Sequence, residues 1–200
     1  MSAETDREDS ARARPLMEAT LRIIGRNGID TVTHRAVAAE AGMSIGAVTH
    51  HFRSRDALVE AALRHALMRE VGRLQALTLG LQNKAFDLEG WIESLVDWYA
   101  RELTARAEVH IACYEAFLAA ARNTRHRETV IEWFETWRQG AELALRAAGS
   151  SSPRRHADLF VAALIGILLR QLASPRRGFR QEARAALLEL ATSLIAAKKR

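Results

Sequence analysis

Apolar side chains recur along most of this chain at intervals of three and four residues, the spacing of one face of an α-helix, and strand-type alternation is nearly absent. From Ser10, a capping candidate, the series Leu16, Ala19, Leu21, Ile23 and Ile24 predicts a helix reaching Asn27 and stopped by Gly28. A short second pattern around Val37, Ala38 and Ala41 meets Gly42, and a third around Val48 and Phe52 starts after Ser44. Thr33 and Ser44 supply hydroxyls that cap a helix start, while Gly42 tolerates the left-handed backbone that ends one. Helix, tight turn and helix follow within two dozen residues, with small side chains that permit a close crossing. With Val37, Met43, Val48 and Phe52 turned inward, Ile45, Ala47, Thr49 and His50 face outward.

Beyond this segment, Ser54 is expected to cap a fourth helix reaching about Leu79, whose roughly 25 residues would span about 38 Å. The stretch Gly80 to Phe86 reads as a break. Asp87 then opens a fifth helix with Trp91, Leu95 and Trp98 on one stripe and Ile92, Val96 and Tyr99 on the next. A sixth carries Val109, His110, Cys113, Tyr114 and Phe117 up to Arg122, and a seventh carries Val130, Trp133, Phe134, Trp137, Ala141 and Leu145. Pro153 suits the first turn of an eighth helix that is apolar nearly all round, and a ninth runs from about Phe179 to Ala197. The expected fold is all-α with about nine helices. Residues 1–9 read as a disordered tail, 10–55 as a three-helix helix-turn-helix domain, and 56–200 as a C-terminal helical domain.

Composition sharpens this reading. Apolar residues make up 48% of the 200, and only three prolines interrupt the chain. The net charge of +5 is unevenly spread: residues 10–55 hold seven Arg against three acids, whereas residues 81–150 hold eight basic against eleven acidic side chains. A basic helix-turn-helix segment fits attraction to phosphate. The basic end of the chain reads more simply as a solvated surface. Cys113 is the only cysteine, which excludes an internal disulfide and fits a reducing compartment. Met1 to Asp9 is polar and acidic, unlike a signal sequence, and the apolar run Leu159 to Leu169 is short for a bilayer. A soluble, cytoplasmic protein without a membrane partner is expected.

The segment Thr33, Val37-Ala38, Ala41-Gly42-Met43-Ser44, Gly46, Val48, His51-Phe52 and Ser54-Arg55-Asp56-Ala57-Leu58 resembles the DNA-binding segment of the tetracycline-repressor (TetR) family. One departure stands out: where family members often carry an aromatic before the His-Phe pair, this chain has Thr49 and His50. The resemblance implies a homodimer that binds a double-stranded DNA operator and is released by a small-molecule effector. In that scheme Thr33, Thr49, His50, Arg53 and Arg55 hold phosphates, while His34 and Arg35 donate to guanine edges and Ile45 and Ala47 meet thymine methyls. Ser44, Gly46 and His51 complete the expected DNA-binding set. The plainer reading of Arg55 is an ion pair with an acid such as Glu60 on its own helix. Arg12 and Arg14 lie where family members touch phosphate or the minor groove, or are simply solvated.

All four tryptophans fall between residues 91 and 137. They form either ordinary core or the wall of a site for an apolar or aromatic effector, for which Trp91, Trp98, His110, Cys113, Tyr114, Phe117, Trp133 and Trp137 are the candidates. His110 and Cys113 share a helical face, but no third ligand can be placed, so no metal or other cofactor is expected. Nor is there a Ser-His-Asp set, a Gly-rich phosphate loop or a carboxylate pair, and no enzyme is expected. The resemblance places the dimer interface on the last two helices, with Leu159, Ala163, Gly166, Ile167, Leu187, Leu190 and Leu194 as candidates. A monomer with both helices inside is the plainer alternative. The functional expectation is a regulator of transcription that represses until its effector binds. An activator of the same fold shares every feature, and a helical small-molecule-binding dimer without a DNA role is the alternative from another class.

Overall fold

The structure, a computed structural model, describes residues 2–79, 86–122 and 124–196. Nine α-helices and no strand occur among these residues: α1 Ser2–Asn27, α2 His34–Ala41, α3 Ile45–His51, α4 Arg55–Leu79, α5 Leu88–Ala105, α6 Ala107–Arg122, α7 Arg127–Ala147, α8 Pro153–Ala173 and α9 Phe179–Ala196. The all-α expectation holds. Most of the expected break from Gly80 to Phe86, and the expected last residue of α9, Ala197, lie outside the described residues.

One difference lies at the start. Helix α1 begins at Ser2, where the sequence reading places a tail over residues 1–9. Pro15 is carried inside the helix.

Residues 2–69 and 106–130 form one compact unit. Its core is the face of α1 that carries Leu16, Ala19, Thr20, Ile23 and Ile24, together with Val37, Val48, Leu58 and Leu63. Thr20 is accommodated there because its hydroxyl donates to the Leu16 carbonyl at 2.8 Å, so no polar group is stranded. Helix α1 ends at Gly28, whose φ of +89° is open to glycine and strained for other residues. The linear boundary after Arg55 would put α6 in the C-terminal part, but α6 packs along α1 in this unit. The reason is Gly25. A Cβ there would sit 1.9 Å from the carbonyl oxygen of Glu108, so the two helix backbones touch directly.

The second unit takes in residues 70–105 and 131–200. Helix α9 packs on α5 and α8 and buries Phe179, Ala183, Leu187 and Ala191. The apolar run of the sequence extends into a 21-residue helix, α8, which passes a length-and-composition test for crossing a membrane. Its Phe160, Val161, Leu164 and Leu168 are nevertheless buried in this unit.

The contact at Gly25 gives a stability prediction. Gly25→Ala forces α1 and α6 apart and is expected to cost roughly 3 kcal/mol. Gly42→Ala meets nothing within 4 Å and bears only its left-handed φ of 65°, for about 1 kcal/mol. Urea denaturation of both variants checks the order of the two losses, and equal losses would remove the backbone contact.

Candidate nucleic-acid interface

The helix-turn-helix is built by local hydrogen bonds that the sequence prescribes. Thr33 caps α2, its hydroxyl oxygen accepting from the Ala36 N–H at 3.1 Å. Gly42, at φ 65° and ψ 29°, turns the chain out of α2, and the Met43 N–H closes the turn on the Ala38 carbonyl at 2.9 Å. Ser44 caps α3 by accepting from Ala47 N–H at 3.1 Å, and Ser54 repeats the device for α4 with Ala57. Val48 and Phe52 face inward, while Ile45 stands 51% exposed. Gly46, Thr49, His50, Arg35 and Arg53 are exposed beside it, with Ala47 and His51 half-buried. The outward face of α3 is therefore the one expected.

Two expected DNA contacts are engaged elsewhere. The His34 Nε2 lies 2.9 Å from the Phe52 carbonyl, so the ring donates inward and ties the start of α2 to the end of α3. Arg55 donates through Nε to the Val32 carbonyl at 3.1 Å and through Nη2 to that of Ile29 at 2.5 Å. Its guanidinium also lies 3.4 Å from Asp30 and Asp56. The residue fastens the first turn of α4 to the Ile29–Thr31 turn, and Glu60 pairs with Arg64 instead. Thr49 turns its hydroxyl back to the Ile45 and Gly46 carbonyls at 3.2 and 3.1 Å, so its proton is held within α3. His50 and His51 meet edge to face at 5.2 Å.

Sequence spacing gives no sign of a further cluster that fixes α2 against α1. Arg22 donates to Glu40 at 2.6 Å, and Arg26 reaches both Glu40 at 3.4 Å and Glu108 at 3.5 Å. The hydrogen bond from Arg22, aided by the charge of Arg26, holds the Glu40 carboxyl below its ordinary range. Glu18 forms another knot with Arg14 at 3.1 Å, Arg106 at 3.8 Å and His65 at 3.9 Å. Burial lowers the His65 pKa more than Glu18 raises it.

The expected effector residues are divided between the two units. On α6, in the first, Tyr114 and Phe117 meet edge to face at 5.7 Å, and the Cys113 thiol donates to the Val109 carbonyl at 3.2 Å. Burial raises the Tyr114 phenol well above its usual value. In the second unit Trp133 and Trp137 stack at 6.5 Å, and Trp91 packs on Phe160 at 5.6 Å. Trp133 is wholly buried and serves as core. Among the described residues no three His, Cys, Asp or Glu side chains group as metal ligands.

Of the residues expected at a dimer interface, Leu159 and Gly166 are exposed, and Ala163, Ile167, Leu190 and Leu194 are half-buried. Leu187 is a correction. It is 0% exposed within the second unit, on the buried α9 face, because the i, i+4 series Ala183, Leu187 and Ala191 points inward.

Two sequence profiles match this chain. The one described as bacterial regulatory proteins, tetR family, covers residues 16–62, and the one described as tetracyclin repressor-like, C-terminal domain, covers residues 87–196. The chain belongs to the tetR family. A family member from Streptomyces coelicolor A3 is 32% identical, with a TM-score of 0.70 over 90% of this chain and 97% of that one. The multidrug binding protein EbrR, crystallised with ethidium, is 33% identical with a TM-score of 0.62, over 90% and 98%. The transcriptional regulator BetI of Proteus mirabilis is 34% identical over 76 residues, so this TetR-family chain spans only 38% of the length of that relative.

The Glu40 cluster makes acid sensitivity testable. Its folded pKa lies below the ordinary 4.5, so its contribution is present above pH 4.5 and is lost as pH falls through the depressed value. Glu40→Gln is therefore expected to lower the melting temperature at pH 7 and to lose that deficit in stronger acid. A deficit independent of pH would remove the ion-pair account.

Proposed function

We propose that this TetR-family chain is a DNA-binding transcriptional regulator that acts as a homodimer on a pseudo-palindromic operator. The observation that carries the reading is the outward face of α3. A seven-residue helix capped at its start by Ser44 presents Ile45, Gly46, Ala47 and His50 without structural duties for most of them. An added Cβ at Gly46 would meet only the Ser44 Oγ at 3.7 Å, so folding does not demand glycine there. Close approach to a duplex does. Ile45 and Ala47 then meet base edges in the major groove, and Thr33, His50 and Arg53 hold phosphates. Arg35 is the remaining exposed cation on α2 and reads a guanine edge. Thr33 suits its role because its capping oxygen accepts and its proton stays available. His34 and Arg55 serve the unit's geometry instead of the DNA.

One short recognition helix reads few base pairs, and a C2 dimer doubles the reading. Helix α8 offers an unpartnered face for such a dimer: Leu159, Ala162, Gly166 and Leu169 recur at helical spacing and all are exposed. Gly166 has nothing within 4 Å of a would-be Cβ, leaving room for a facing helix. The regulator represses until a small aromatic or apolar effector enters the second unit. Its aromatic content supports this, as do the ethidium and proflavin bound by the relative EbrR. The effector works by favouring a conformation in which the two heads no longer match successive grooves.

An electrophoretic shift with DNA flanking the coding region tests the reading, and footprint position relative to a promoter separates repression from activation. Gly46→Ala is expected to leave the melting temperature equal or slightly higher and to weaken DNA binding at least tenfold, on the order of one lost major-groove contact. Undiminished binding would place α3 outside the groove. Leu159→Arg is expected to yield a folded monomer by sedimentation with reduced operator affinity, whereas Leu187→Arg, in the core, unfolds the chain. A dimer that survives Leu159→Arg would move the interface off α8.

A further inference from the structure

Arg73, on α4, places its guanidinium carbon 3.7 Å from the centroid of the Trp98 ring and 5.3 Å from that of Tyr99. The two rings meet nearly at right angles, 78° apart with centroids at 4.6 Å. They form a corner in which two aromatic faces act on one positive charge. Tyr99 also borders a half-open space of about 10 Å³ lined by Trp91, Leu95, Trp137 and Phe160 among others, too small for a ligand as it stands. Helix α5, which carries both rings of the corner, has four carboxylates and one arginine. Two of them, Glu89 and Asp97, pair with Arg184 and Arg180 of α9.

We infer that the Trp98–Tyr99 corner is a binding site for an organic cation, of the quaternary ammonium or aromatic-cation class, and that Arg73 is its internal occupant, displaced when the ligand binds. The inference deepens the effector reading above and rests on it. An aromatic corner does not distinguish a guanidinium from an alkylated ammonium of similar size, because the attraction is between charge and ring quadrupole. A tethered occupant lowers the apparent affinity by the fraction of time it leaves the corner empty. Eviction of Arg73 also acts on α4, the helix that begins immediately after the recognition helix. The opposite chemistry, an anionic ligand that pairs with Arg73, requires the arginine for binding, so the two differ in the sign of one substitution.

Isothermal titration of the full-length protein with benzyltrimethylammonium, benzyl alcohol and benzoate reads that sign. The cation is expected to bind about tenfold more tightly to Arg73→Met than to the parent, at parent strength to Arg73→Lys, and not to Trp98→Leu. Benzyl alcohol and benzoate should show no such order. Arg73→Gln is the second variant should methionine lower the melting temperature. Cation binding that is unchanged or weaker on removal of Arg73, or benzoate binding that the removal abolishes, overturns the inference. DNA affinity measured on the same samples separates the two claims. Cation binding with the expected order but no effect on DNA retains the site and removes its regulatory role, and a chain that binds no DNA fails as a regulator whatever the titrations show.

Discussion

The unit that carries the helix-turn-helix depends on the place where the backbone of α1 rests on that of α6. At Gly25 no side chain separates the helices, and the Glu108 carbonyl occupies the space a methyl group would need. Residues some eighty positions apart in sequence are thereby fixed in one unit. The neighbouring Arg26 uses the same closeness, reaching Glu108 on one side and Glu40 of α2 on the other. The helix-turn-helix is thus held from behind, by α1 and α6, and its front face carries few structural obligations.

That economy explains which polar residues are left outside. Short helices joined by tight turns expose many carbonyls that no helical N–H reaches, and buried or half-buried ones need donors. The nearest long polar side chains are taken for this purpose. Arg55 serves the Ile29 and Val32 carbonyls, and His34 serves that of Phe52. Arg35 and Arg53 lie on the exposed side and are left to the solvent or to phosphate. A basic count over residues 10–55 therefore overstates the charge offered to DNA, because Arg22, Arg26 and Arg55 are bound up in the unit itself.

Helix positions were largely legible in the sequence, since caps and apolar periodicity are local. Thr33, Gly42, Ser44 and Ser54 each act at the position their chemistry indicates. What the sequence hides depends on distance. The Arg22–Glu40 pair spans 18 positions and Arg55–Ile29 spans 26, and neither follows any periodic rule. Leu187 misleads for a different reason. An amphipathic stripe announces burial without naming the partner, and α5 of the same chain takes the face expected for a second copy. The acidic start of α1 is ambiguous in the same way, because one composition suits both a solvated tail and a helix N-terminus.

The two arginines of α4 give that helix a mechanical character that neither suggests alone. Arg55 fastens the first turn to the Ile29–Thr31 turn, and Arg73, 18 residues further on, is held by aromatic faces. At helical rise the two points are about 27 Å apart. Hydrogen bonds to backbone carbonyls are directional and short-ranged, so the first attachment resists translation of the helix along its axis. The attraction of a cation to a ring falls off more gently and tolerates sliding across the face. Between the two points, Leu58, Leu63 and Leu67, all at most 1% exposed, hold the first half of α4 in the core of the first unit. The Arg55 end adjoins Phe52, whose carbonyl accepts from His34 and so joins the end of α3 to the start of α2.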